Sequence, residues 1–201
     1  MKITNLKQGV KNPERVNVFV DSVFAFSLDV SQVVEFKLKV GLEVTEEQLA
    51  EFKSASEFGK LYQRALEWVL VRPRSEKELN EYLYKKIYEK KLNKNYIDLI
   101  INKLKDKKYI DDMGFAEWYV ENRFVKKGIS RKRLRMELVK KGIASEIIEQ
   151  VLDKRNDEEE IKKIIAKKRA KYDDEKLIQY LVRQGFQFEL VRSLVQTFET
   201  D

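Results

Sequence analysis

The chain has 201 residues, 43% of them hydrophobic, a formal net charge of +7, and neither cysteine nor histidine. That length holds one large or two to four small domains with real cores. The missing residue types exclude disulfides, thiol nucleophiles, the usual zinc sites and any Ser-His or Cys-His dyad.

The first segment is strand-like. Val16, Val18 and Val20 alternate with Asn17, Phe19 and Asp21, and the alternation resumes at Phe24, Phe26 and Leu28 after Asp21-Ser22. Two strands joined by a tight turn are predicted, with a third over residues 3 to 8. Val33, Val34 and Leu38 suggest a short helix closed by Gly41, and Thr45 with Gln48 forms a capping box that opens another. Wholly apolar runs reach four residues, as in Val23 to Phe26 and Trp68 to Val71. Neither a membrane span nor a signal-peptide core is predicted, and a cytoplasmic protein is expected.

From about residue 57 the period becomes helical. Phe58, Leu61, Tyr62, Ala65, Leu66 and Val69 form one stripe, and the helix is expected to stop before Pro73. A spacing then recurs three times: Ser75, Leu79, Leu83, Lys86; Ser130, Leu134, Leu138, Lys141; and Asp173, Leu177, Leu181, Gln184. Leucines four apart lie above one another on a helix, so each copy is an amphipathic helix with the same buried stripe. Upstream, Ala65 to Leu70 echoes Phe115 to Val120. Downstream, Ile147-Ile148 with Val151-Leu152 echoes Leu190-Val191 with Leu194-Val195. Ile100-Ile101 with Leu104 fills that slot in copy one, after a longer connection read as an enlarged loop near Glu89 to Asn95. The fold class is therefore mainly α, a tandem array of three three-helix repeats preceded by a small strand-containing N-terminal domain. The expected divisions are 1–56 for that domain and 57–112, 113–156 and 157–201 for the repeats.

Gly128, Gly142 and Gly185 fall between helices, where a left-handed residue terminates them, and the acidic run Asp157 to Glu160 opens a helix. Asp111-Asp112 resembles a carboxylate pair but has no visible nucleophile or metal partner, so it reads as a cap for the following helix. No Walker loop or Gly-x-Gly-x-x-Gly is present, so a non-enzyme without cofactor or metal is expected.

Charge is distributed unevenly. Residues 1–56 hold seven basic and eight acidic groups, leaving 34 basic and 26 acidic groups for the rest. The densest stretch is Arg123, Lys126, Lys127, Arg131, Lys132, Arg133, Arg135, Lys140 and Lys141, with Glu137 alone among them. Such a patch attracts phosphate. Arg72 and Arg74 flank a helix break and serve structure or binding equally well. Lys85, Lys86, Lys90, Lys91 and Lys94 have nearer acids and read as a solvated face.

The ordered motifs Arg72-Pro73-Arg74-Ser75-Glu76-Lys77-Glu78-Leu79, Tyr109-Ile110-Asp111-Asp112 leading into Phe115-Ala116, Lys127-Gly128, Lys141-Gly142 and Gln184-Gly185-Phe186 resemble those of the RecX family. Lys107-Lys108-Tyr109 departs from the family pattern, lacking the glycine usual before the aromatic. The resemblance implies a regulator of the RecA recombinase in DNA repair, homologous recombination and the SOS response. Members lie in the groove of the RecA filament on single-stranded DNA, restrain ATP hydrolysis, strand exchange and repressor cleavage, and bind single- and double-stranded DNA weakly. A monomer is expected. Two other classes fit the residues alone: a tandem helix-turn-helix-like DNA-binding regulator, and a protein-only helical scaffold.

Overall fold

The computed structural model describes residues 1–10, 12–153 and 155–198, with the backbone alone for residues 124–127. An antiparallel meander of β1 (Ile3–Gln8), β2 (Arg15–Val20) and β3 (Val23–Asp29) comes first. Ten helices follow among the described residues: α1 (Val30–Glu35), α2 (Glu46–Leu70), α3 (Glu76–Lys90), α4 (Tyr96–Asp106), α5 (Asp112–Lys127), α6 (Arg131–Lys140), α7 (Ser145–Asp153), α8 (Asp157–Lys168), α9 (Asp174–Arg183) and α10 (Phe188–Thr197). The chain divides into two compact units, one of residues 1–70 with 82–103, the other of residues 71–81 with the chain from Leu104 onward.

In the first unit the tight turn forms because Asp21 and Ser22 both take positive φ, 49° and 69°, which matches the twist of a two-residue hairpin. Alternation puts Val18, Val20, Phe26 and Leu28 inward, where they share a core with Ile3, Leu38, Val44 and Phe52. Asp29 opens α1 with a capping box to Gln32. Lys37 at φ 50°, not the expected Gly41, closes α1, with the Leu38 amide donating to Val33 O. Gly41 instead donates to Ile3 O and ties the next turn to β1. Thr45 and Gln48 exchange the expected capping bonds at 3.0 and 3.2 Å. The helix they open, α2, runs unbroken for 25 residues, so the predicted boundary between residues 56 and 57 falls inside a helix. Ser56 fastens it to the sheet by donating to Ser27 O.

The longer connection in copy one is mostly helix. α3 has 15 residues where α6 and α9 have 10, and only a short loop precedes α4. An enlarged loop was the expectation; a sequence that stays amphipathic through Ile87 simply keeps its helix.

In the second unit α5 to α7 and α8 to α10 bury separate cores. The first gathers Phe115, Ala116, Ile129, Leu134, Leu138, Ile143, Ile148 and Leu152. The second gathers Ile161, Ile164, Ile165, Leu177, Leu181, Phe186, Val191 and Val195. Burying a leucine stabilises by about 1.5 to 3 kcal/mol, so two leucines on the repeated stripe anchor each middle helix.

Adjacent modules lock through one recurring device, the end of one middle helix meeting the start of another. At the start of α3, Ser75 Oγ accepts from the Glu78 amide and donates to Lys141 O at 2.8 Å, while the Glu76 amide donates to Asp112 Oδ1 at 2.8 Å. At the start of α6, Ser130 Oγ accepts from the Arg133 amide, the Ser130 amide donates to Gln184 O at 3.2 Å, and the Arg131 amide donates to Asp157 Oδ1 at 2.8 Å. A positive helix start thus abuts a negative helix end at both junctions, and free donors and acceptors satisfy one another. Asp111 caps α5 as expected, through the Met113 amide. Asp112 caps a different helix, α3. The glycines do more than end helices: besides positive φ, a Cβ on Gly142 would lie 2.8 Å from Lys77 Cβ, and one on Gly185 2.7 Å from Ser130 Oγ. Only glycine admits this approach.

Candidate nucleic-acid interface

α6 carries the densest charge, and its two fully buried leucines set which residues face outward. With Leu134 and Leu138 turned into the core, Lys132, Arg135, Met136, Val139 and Lys140 are exposed, and Arg131 is half-buried beside them. Arg131, Lys132 and Arg133 occupy the first turn of α6, which has no acidic residue. Cations there oppose the helix dipole. The first turns of α3, α8 and α9 carry acids instead. Among the described helices α6 alone opens on cations with no acid beside them, and a local rule broken in this way is a pointer to function.

Folding also brings carboxylates to the patch from a distance. Glu137 accepts two bonds of 2.8 Å from Arg123, one of 2.9 Å from Tyr119 Oη and a longer one of 3.5 Å from Arg133 Nε. Burial works to raise the Glu137 pKa, but the bonds from Arg123 and Tyr119 outweigh it and hold the carboxyl below its ordinary value. Arg133 also donates to Arg183 O at 2.7 Å. Arg135 makes a two-pronged pair with Glu149. Lys141 reaches Glu78 at 2.6 Å, and Glu78 also takes Arg72 at 2.9 and 3.2 Å. Arg72 lies 5.4 Å over the Trp118 ring. Arg74 is half-buried, its guanidinium pKa lowered by burial and by Arg72. The side chains of Lys126 and Lys127 lie outside the described residues.

The patch therefore sorts into two kinds of cation. Arg72, Arg123, Arg133, Arg135 and Lys141 brace modules. Among the described residues, the side chains of Arg131, Lys132 and Lys140 make no hydrogen bond or ion pair, and they remain open to an external anion. Sequence reasoning set nine cations against Glu137 alone and missed Glu78 and Glu149, which are distant in the chain and join only by folding. It also passed over Met136 and Val139, about half exposed at 50% and 56%, which interleave with the free cations. Their signal was legible as two apolar residues off the leucine stripe. Among the described residues no group of three His, Cys, Asp or Glu is placed to hold a metal, and no helix is long and apolar enough to cross a membrane.

Family models match at two places: the regulatory protein RecX N-terminal domain over residues 1–45, and the RecX second three-helix domain over residues 111–152. The regulatory protein RecX of Bacillus licheniformis is 32% identical over 99% of this chain and 77% of its own length. That of Bacillus velezensis is 40% identical over 42% of this chain, a stretch that spans only 32% of that protein. A crystal structure of a regulatory protein RecX superposes with a TM-score of 0.73 at 25% identity, covering 98% of this chain and 99% of that one. The structure of RecX from Lactobacillus salivarius gives 0.58 at 28% identity over 71% of this chain and 96% of its own.

Proposed function

The chain belongs to the RecX family of regulatory proteins, and we propose that it regulates the RecA recombinase without catalysing a reaction, docking as a monomer on the RecA–DNA filament. The outward face of α6 supplies the phosphate contacts, and binding limits the ATPase, strand-exchange and coprotease activities of the filament. The observation that carries this reading is the all-basic first turn of α6, with Arg131 and Lys132 unpaired among the described residues. A solvated face has no reason to oppose the dipole of its own helix; a surface that meets phosphate does.

The test is a salt titration of binding to single-stranded DNA by the full chain and by the triple variant Arg131→Gln, Lys132→Gln, Lys140→Gln. Arg135 is left intact because its partner Glu149 would be stranded. The slope of log affinity on log salt becomes shallower by about 2 units, at roughly 0.7 per lost contact, and inhibition of the RecA ATPase weakens in parallel. An unchanged slope with intact helical circular dichroism sinks the reading. Sequence-selective binding to duplex would favour a helix-turn-helix-like regulator instead.

A further inference from the structure

A second group of cations lies in the first unit, where the sequence suggested only a solvated face. Lys60, Arg64 and Trp68 follow one another at four-residue steps on α2, and Tyr82, Lys86 and Lys90 do the same on α3. Each trio therefore lines one side of its helix. Trp68 and Tyr82 stack with ring centroids 4.5 Å apart and planes 11° apart, which fixes the register between the two stripes. α2 leads toward this stack and α3 away from it, so one turn from the stack come Arg64 and Lys86, and two turns from it Lys60 and Lys90. Lys86 Nζ lies 6.0 Å over the Tyr82 ring. Arg15 joins from β2, held by Ser27.

These cations face one another more than they face acids. The Lys60 pKa is lowered by desolvation first and then by Arg15; Glu57 opposes, and Lys90 and Arg64 each add a smaller lowering. That of Lys90 is lowered by burial, Arg64 and Lys86, with Glu89 opposing. Glu89 is already paired with Lys86 at 3.0 Å. Structural duties explain part of the cluster: Lys90 lies in the last turn of α3, where a cation suits the dipole. Lys60 and Arg64 have no such duty. They sit outside the first and last turns of α2, and among the described residues their side chains make no hydrogen bond or ion pair. Lys60, Arg64 and Lys90 are exposed and Lys86 is half-buried, and like charges set side by side in such a row repel unless an anion relieves them.

We propose that the α2–α3 face built on Lys60, Arg64, Lys86 and Lys90 is a second nucleic-acid contact, binding the phosphate backbone of a single strand. It shares no residue with the α6 face and stands whether or not that one binds. A phosphate chain suits it because the cations form a row along two helices and not a single pocket, and a polyanion matches a row.

The experiment compares the full chain with Lys60→Gln, Arg64→Gln, Lys90→Gln, using fluorescent oligodeoxythymidine over a range of salt. The expected slope is shallower by about 2 units, at roughly 0.7 per contact. The melting temperature is unchanged or higher, because the repulsion removed at Lys60, Arg64 and Lys90 outweighs the favourable placement of Lys90 at the end of α3. A fall in melting temperature would assign these cations to the fold and overturn the proposal. So would an unchanged slope, including the case in which the variant loses binding to the RecA filament alone, which would make the face a protein contact. Lysine-reactive labelling of the wild-type chain provides a check without mutation: the oligonucleotide protects Lys60 and Lys90, and equal labelling with and without it counts against binding.

Discussion

α6 and α9 share one buried face and differ on the outward one. Leu134 and Leu138 match Leu177 and Leu181, all fully buried, and Gly142 matches Gly185, both at positive φ. The exposed apolar Val139 has its counterpart in Val182. On the outward face the two part company: Arg131, Lys132 and Arg135 stand where α9 has Asp174, Glu175 and Ile178. α9 obeys the helix dipole and α6 opposes it. The difference teaches that the buried stripe and the junction glycines fix the module, while the outward positions remain free to specialise. The third module is thus an internal control for the second.

The largest effect tests what the two helices share. Leu138→Ala and Leu181→Ala each remove a fully buried leucine and should each cost about 2 to 4 kcal/mol. Chemical denaturation of the two variants measures this, and a negligible loss in either breaks the equivalence. Next come the junctions, where Gly142→Ala and Gly185→Ala combine a positive φ with an approach under 3.0 Å. Each should cost about 1 to 3 kcal/mol, and a stabilised variant would show that the modules do not lock there.

A smaller contrast concerns acid. In α6 Glu137 collects Arg123 and Tyr119, whereas α9 has Tyr180 at that position, stacked 6.2 Å from Tyr172. The folded pKa of Glu137 lies below its ordinary value of 4.5. Its stabilisation is therefore complete above that value and lost as pH falls through the lower folded one. Glu137→Gln should cost about 1 to 2 kcal/mol at neutral pH and flatten the acid limb of a melting-temperature profile. An acid limb identical to wild type would mean Glu137 does not anchor the module. Smallest of all is the charge exchange. Arg131→Asp with Lys132→Glu gives α6 the first turn of α9, and each change should add about 0.3 to 1 kcal/mol of stability. DNA affinity should fall at the same time. Stability without loss of affinity would erase the functional difference between the two helices.

The module was legible because its determinants are local. Leucines at four-residue steps, Ser75, Ser130 and Asp173 as caps, and the capping box at Thr45 all act within one or two turns, and each forms as the spacing requires. What escaped notice depends on partners distant in the chain. Asp112 stands at a helix start and so reads as its cap, yet it serves α3, 36 positions earlier. Lys141 and Glu78 are 63 positions apart, so the neutralised half of the basic patch could not be counted from a run of letters. The departure from the family pattern at Lys108 proved locally meaningful: this lysine takes φ 58°, the conformation a glycine would adopt without strain. The unpaired cations of α6 stand within a longer row of arginines and lysines, and only the packing of Glu149 and Glu137 separates them from their neighbours.

The borrowed caps at the module junctions have a consequence for motion. The first amides of a helix ordinarily exchange their hydrogens soonest, because nothing inside the helix holds them. Here the amides of Glu76 and Arg131 are held by Asp112 and Asp157, each the opening residue of the following module. Their protection against solvent deuterium is therefore governed by the opening of the neighbour, and a disturbance in the third module reaches the start of α6 as faster exchange there. Local breathing in this chain spreads backward along the sequence, from each module to the one before it.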